Sequence, residues 1–289
     1  MPELPEVETV RRGLNESTLN LEITGGDVLR DRTIAYPFFV GEFLDTIKGC
    51  VIKCWHRRGK YLVAELSQTV EIQNSPVPLS PLWLGVHLRM TGQLLWLDRD
   101  EPLHKHTRVR LFFGDRQELR FVDQRTFGQM WIVPSGVPIE TIITGLAKLA
   151  VDPFSPEFTV EYLGNKLQKG RRPIKTALLD QSVVAGLGNI YADEALFKSG
   201  ILPTTLSPEL QVEQVERLRK AIIEVLSASI AAGGTTFSNF LNVKGINGNY
   251  GGEAWVYNRA GKPCKVCGHV IERIKLGGRS SHFCTQCQG

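Results

Sequence analysis

Leu4, Val7, Val10 and Leu14 recur at helical spacing, so the first 16 residues are expected to form an amphipathic helix. From 20 to 133 the period shortens to that of strands. Lys60–Leu66, Arg108–Phe113 and Gln129–Val133 are strand-like runs, with turn residues such as Gly114-Asp115 between such runs. A β-sandwich with a flanking N-terminal helix is the expected result. Gln68–Pro81 carries Pro76, Pro78 and Pro81, has little periodicity and is expected to be an exposed loop. Pro134-Ser135-Gly136-Val137-Pro138 is a candidate hinge. Beyond it Lys175–Gln181, Ile190–Ser199 and Pro208–Ala232 have the pattern of helices, separated by glycine or proline. Asn242–Gly252, with four glycines in eleven residues, is expected to be a mobile loop, and a hairpin follows from about Trp255. No internal repeat is present. The expected fold class is α+β and multidomain, with segments 1–133, a linker 134–150, a helical part 151–254 and a C-terminal hairpin 255–289.

At 289 residues the chain suits two domains, each large enough for its own core. Hydrophobic content of 42% and charged content of 22% are ordinary for a globular protein. No run of eighteen apolar residues points to a membrane span, and the acidic, proline-bearing start is unlike a targeting peptide. A cytoplasmic protein with reduced thiols is therefore expected. A net charge of +4 says little by itself, but its distribution says more. Residues 256–289 hold six cations and one anion, and residues 165–175 hold Lys166, Lys169, Arg171, Arg172 and Lys175 with no acid. Two such clusters suggest a surface that tracks phosphates, although either alone would suit ordinary solvated surface.

Two features carry chemistry. If Met1 is removed, Pro2 becomes a free secondary amine with a pKa of about 7.7–8.0, partly neutral and nucleophilic near pH 7. Its attack on an aldehyde-level carbon gives an iminium ion, an electron sink for elimination. The competing reading is a helix start, with proline early and acids that suit the dipole. Glu3, Glu6 and Glu8 are equally placed for either purpose. At the other end Cys264-x2-Cys267 and Cys284-x2-Cys287 stand sixteen residues apart, the spacing of a four-cysteine structural zinc (Zn2+) site. Two disulfides are the alternative, but nothing indicates an oxidising compartment. Cys50 and Cys54, four apart on an expected strand, would share a face as core thiols.

Both ends, with motifs between them, resemble bacterial formamidopyrimidine-DNA glycosylases. The resemblance rests on Pro2-Glu3-Leu4-Pro5-Glu6-Val7-Glu8-Thr9, Arg57-Arg58-Gly59-Lys60-Tyr61, His87-Leu88-Arg89-Met90-Thr91-Gly92, Asp123-Gln124-Arg125-Thr126-Phe127-Gly128, Gly186-Leu187-Gly188-Asn189-Ile190-Tyr191-Ala192 and Gly278-Arg279-Ser280-Ser281-His282-Phe283-Cys284. It covers nearly the whole chain. It implies a monomeric enzyme that removes 8-oxoguanine and formamidopyrimidines from damaged duplex DNA and then nicks the strand by β,δ-elimination. It also implies a helix–two-turns–helix element in the helical part and a zinc β-hairpin at the end.

The resemblance assigns Pro2 as nucleophile, Glu3 as general acid, Glu6 as a buried organiser, and Lys60 and Arg279 as site residues at phosphates. It implies that Met90, Arg125 and Phe127 fill the hole left by a flipped base, where Met90 and Phe127 by themselves would suit a core. It implies phosphate or sugar contacts for His87 and His106, and a phosphate contact for Asn189, whose place before Ile190 also suits a helix N-cap. Lys169 or Arg171 would replace a family lysine that falls near Gly170. The loop at 242–252 departs from the family pattern where the family closes over the flipped base. The nearest enzymatic alternative is the endonuclease VIII class, selective for oxidised pyrimidines. Leu4-Pro5-Glu6-Val7 and the Met90, Arg125, Phe127 set favour the purine enzyme. The non-enzymatic alternative is a zinc-ribbon damage binder.

Overall fold

In the computed structural model the described residues are 1–68, 81–235 and 241–289. Positions 69–80, most of the expected exposed loop, lie outside them. Two compact units are present. The first comprises Met1–Pro2, Glu6–Ala147 and Gly233–Gly248; the second comprises Glu3–Pro5, Lys148–Ala232 and Asn249–Gly289.

The first unit is a β-sandwich. Helix α1 (Leu4–Thr18) leads into β1 (Ile23–Val28), β2 (Ile34–Tyr36), α2 (Val40–Ile47), β3 (Cys50–Arg58), β4 (Tyr61–Gln68), β5 (Leu82–His87), β6 (Gly92–Asp98), β7 (Thr107–Phe113), β8 (Gln117–Asp123) and β9 (Gln129–Val133). One sheet has the order β1-β7-β8-β6 and the other β2-β9-β5-β4-β3. Their inner faces share a core with Val7, Val10 and Leu14 of α1, all fully buried, as the helical spacing predicts. Strand β7 alternates in and out along its length, the pattern of a strand with one buried face. Its neighbour β8 is buried on both faces. The outer face holds charges that are paired: Glu118 lies between Arg110 and Arg120, and Arg120 donates to the carbonyls of Glu101 and Pro102.

Two local readings needed correction. Helix α2 occupies a stretch expected to be strand, because Phe43 and Ile47, four apart, turn one face inward. Cys50 and Cys54 do not share a face. Ile52 pairs with Leu66 and Cys54 with Glu65, so a β-bulge lies between them. The bulge shifts the inward set from Cys50 and Ile52 to Trp55, and leaves Cys54 half-buried.

Short helices α3 (Ile139–Ile142) and α4 (Thr144–Ala147) end this unit's main segment. The second unit holds α5 (Val160–Leu167), α6 (Ile174–Leu179), α7 (Asn189–Ser199), α8 (Val212–Ala231) and the hairpin β10 (Glu272–Leu276)–β11 (Arg279–Phe283). Helix α5 falls in a stretch with no expected element; Thr159 caps it by accepting the Tyr162 N–H. Helix α7 is buried nearly all round, polar residues included. Glu194 accepts the backbone N–H groups of Trp255, Val256 and Tyr257. Asp193 accepts the His282 N–H at 3.0 Å and is ion-paired with the buried Lys175. These two carboxylates tie the segment before the hairpin, and β11 itself, to α7. Among the described residues no helix is long and apolar enough to cross a membrane.

Helix α1 is fastened by its own acid. Glu8 meets Arg11, Arg12 and Arg57 at 2.8–3.1 Å. Burial opposes its charge, but the arginine hydrogen bonds and charges outweigh burial and bring its pKa from 4.5 to about 2. A lowered folded-state pKa contributes stability above the unfolded value and loses it as pH falls through the folded one. Glu8→Gln should therefore cost roughly 3 kcal/mol at pH 7. In urea titrations the difference from wild type should shrink between pH 4.5 and 2.

Candidate active site

Pro2 is buried, and Met1 before it lines a cavity of about 510 Å³ whose wall includes Arg89, Met90, Phe127 and Gln129. That volume lies within the range of small-molecule sites. Lys60 follows Gly59 (φ +57°) in the tight turn that joins Arg58 to Tyr61, and is 7% exposed. His87 is equally buried, with its ring edge-on to Tyr61 at 4.4 Å. Burial, then the charges of Arg89 and Lys60, lower its pKa to about 3, so the imidazole is neutral. Its Nδ1 accepts the Arg89 N–H at 2.9 Å, which puts the ring proton on Nε2.

Glu3 is held in the second unit by the start of α7. Its carboxylate accepts the Ile190 N–H at 3.1 Å and reaches the Tyr191 N–H at 3.5 Å. A helix N-terminus with free amides favours a negative charge there. Only glycine allows this approach: a Cβ at Gly188 would lie 2.2 Å from the Glu3 carboxyl carbon. Gly186, at φ +82°, accepts the Leu4 N–H at 3.0 Å. Asn189 is therefore not the N-cap. Gly188 occupies that position, and Asn189 is the first helical residue, with a buried Oδ1 that has no hydrogen-bond partner among the described residues. The sequence signal for this cradle was two glycines flanking one leucine just before a helix. Its purpose shows only when Glu3 is in place. Glu6 is 2% exposed and accepts the Thr235 N–H at 2.8 Å within the first unit.

Met90 is half-buried and Phe127 is 48% exposed, so neither is a core residue. Arg125 is exposed, with its guanidinium 4.9 Å above the Phe127 ring. The segment behind them is organised by Asp123, which sequence reasoning passed over. One oxygen accepts the Gly128 N–H at 2.7 Å, and the other accepts from Thr91 and from the Arg125 N–H. His106 is half-buried, with Nδ1 3.2 Å from Arg108; burial and its cationic neighbours Lys105 and Arg108 lower its pKa.

Of the basic cluster at 165–175, Lys169 and Arg171 are exposed, Arg171 with Glu209 at 3.7 Å. Lys175 is not part of that surface. It is fully buried, donating to Asp193 and to the Asn189 carbonyl at 3.0 Å. The segment at 242–252 is more built than its glycine content suggested. Asn242 accepts the N–H groups of Lys244 and Ile246, and Val243 is buried in the sandwich core. Arg279 is exposed at the start of β11, after a two-residue turn in which Gly277 and Gly278 both have positive φ, as a type I′ hairpin requires.

Cys264, Cys267, Cys284 and Cys287 place their four sulfurs within 4.8 Å of one another. Cys264–Cys287 and Cys267–Cys284 are 3.9 and 3.5 Å apart, far beyond a disulfide bond. Tetrahedral zinc with Zn–S bonds of about 2.3 Å needs sulfurs about 3.8 Å apart. The donor set is that of one structural zinc ion, with no position open for a substrate. Phe197, Val256 and Ile271 pack a small core beside it.

Residues 1–130 match the formamidopyrimidine-DNA glycosylase N-terminal domain, 149–240 its H2TH domain, and 261–289 the zinc finger found in FPG and IleRS. The chain is 77% identical to a formamidopyrimidine-DNA glycosylase of a Nostoc species over 288 residues, covering 100% of both. A solved complex of the Lactococcus lactis Fpg with DNA containing an abasic site superposes with a TM-score of 0.87 at 33% identity, covering 99% of each chain. A MutM complex with DNA containing carbocyclic 8-oxo-G gives 0.86 at 33% identity, with the same coverage.

Two outcomes are expected. Gly188→Ala should displace the Glu3 carboxylate and reduce turnover by about 100-fold, with circular dichroism and zinc content unchanged. Turnover at the wild-type rate would refute the cradle. Cys264→Ser should lose the metal, measured by atomic absorption, and bind duplex DNA more weakly in a gel-shift titration.

Proposed function

The chain belongs to the formamidopyrimidine-DNA glycosylase family, and we propose how its own residues excise oxidised purines from duplex DNA and cut the strand. The activity is that of a bifunctional DNA glycosylase and AP lyase. The observation that carries the residue assignment is that the N-terminal residue lines the same cavity as Met90 and Phe127. Once Met1 is removed, the amine of Pro2 becomes the nucleophile.

The Pro2 nitrogen attacks C1′ of the damaged nucleotide, the glycosidic bond breaks with its electron pair going to the base, and the base anion takes a proton from solvent. The resulting ammonium passes its proton to the Glu3 carboxylate, which helix α7 holds as an acceptor. Protonated Glu3 then gives that proton to the ring oxygen. The sugar opens and the iminium forms. The iminium acidifies the C2′ proton, whose loss expels the 3′ phosphate. A second elimination, with loss of the C4′ proton, expels the 5′ phosphate. Lys60 and Arg279 stabilise the phosphates as fixed charges, Arg279 as a bidentate donor.

Met90, Arg125 and Phe127 enter the duplex. Phe127 acts as wedge and Arg125 as hydrogen-bonding plug; unstacking costs a few kcal/mol, which the inserted groups partly offset. His106, Lys169, Arg171 and the Asn189 side-chain amide contact the backbone. His87 contributes its Nε2–H as a neutral donor. Such an enzyme works where the DNA is, in the cytoplasm and on the nucleoid.

Borohydride should trap a covalent adduct with an 8-oxoguanine:cytosine duplex, and mass spectrometry should map it to Pro2. Pro2→Gly replaces a ring-fixed secondary amine with a mobile primary one. It should abolish nicking and keep much of the lesion binding. Nicking at the wild-type rate would overturn the assignment.

A further inference from the structure

Thr126 has φ +56°. A β-branched residue in the left-handed region is a true conformational outlier and has to be held there by its surroundings. It stands between Arg125 and Phe127, the two groups read above as entering the duplex. The residues on either side are fixed. The Arg125 N–H bonds to the Thr91 hydroxyl at 3.0 Å and to Asp123, and the Gly128 N–H bonds to Asp123 at 2.7 Å. Gly128 packs close to the Phe121 ring, which a Cβ added there would meet at 2.4 Å. Thr126 and Phe127 span the gap between these two anchored amides, and the left-handed backbone of Thr126 turns the chain between Arg125 and Phe127.

One side chain from elsewhere reaches this residue. Arg32, in the turn before β2, donates from Nη2 to the Thr126 carbonyl at 2.7 Å. No carboxylate pairs with Arg32 among the described residues. Arg32 and Thr126 both line the cavity onto which Met1 opens.

We infer that Arg32 is a positioning residue for the probing tip: it holds Thr126 in the left-handed conformation and so aims Arg125 and Phe127 as a pair. The inference rests on the reading of Arg125 and Phe127 as duplex-entering groups. It adds a determinant of which opposite base is accepted. A guanidinium has donors only. Correctly aimed, it suits the two acceptors of an orphaned cytosine and meets an amino donor on adenine. A tip that has lost its aim should lose that distinction.

The test is a cycle of Arg32→Ala, Thr126→Gly and the double variant, with kcat/KM measured on 8-oxoguanine opposite cytosine and opposite adenine. Glycine adopts positive φ without strain, so Thr126→Gly removes the need for a brace. Arg32→Ala should slow the cytosine duplex by about 10-fold, the size expected for losing a charged hydrogen bond, and should lower the cytosine-to-adenine ratio. In the Thr126→Gly background the same change should have a much smaller effect. Wild-type rates and ratio in Arg32→Ala would overturn the inference. So would an equal loss on both duplexes that Thr126→Gly leaves undiminished, the result a simple phosphate contact would give. Phe127→Ala serves as the control on the underlying reading. If it excises as fast as wild type, the tip is not a probe, and the inference falls for that separate reason.

Discussion

The bond between a carboxylate and the start of a helix is the constraint on which the N-terminal segment depends. Glu3 takes the amides that open α7, and it can do so because residues 186 and 188 are glycines. In the proposed reaction the nucleophile is the preceding residue, Pro2, which is joined to Glu3 by one peptide bond with no side-chain rotamers in between. Helix α7 can serve as the fixed point because it is buried almost all round.

The same helix organises the second unit. Asp193 and Glu194 are buried charges whose value lies in what they hold. Burial raises the Glu194 pKa and three backbone N–H groups oppose that rise. Burial also lowers the Lys175 pKa against the pull of Asp193. An ion pair of this kind contributes little net stability over an apolar replacement. Here it dictates where β11 lies, and β11 begins with Arg279. The zinc ion fixes the hairpin's own shape, and α7 fixes its attachment.

Much of this was legible in the sequence. The apolar face of α1, the sandwich strands, the hairpin and the four cysteines followed from period and spacing. What was missed has a physical reason in each case. Helix α2 is short, and its inward face shows only two residues. The bulge in β3 breaks the two-residue period that placed Cys50 and Cys54 together. Lys175 looked like a surface cation because its partner, Asp193, is eighteen residues away in sequence. The N-cap assigned to Asn189 followed a residue preference, whereas Gly188 is set by a steric demand from a distant acid. Arg32 gave no sequence signal, and Asp123 stood in a quoted motif without a role of its own, because holding a backbone carbonyl or amide leaves no mark in residue type or spacing.

The position of Pro2 has a consequence for how the protein matures. While Met1 is attached, the nitrogen of Pro2 is a tertiary amide, which has no basic lone pair, and the extra residue lines the cavity itself. On the proposed chemistry, the chain with Met1 attached is therefore an inert form of the enzyme. Removal of Met1 would free the Pro2 amine. On that proposal only molecules lacking Met1 would be active, and a preparation extended at its N-terminus would fold and hold zinc but be silent.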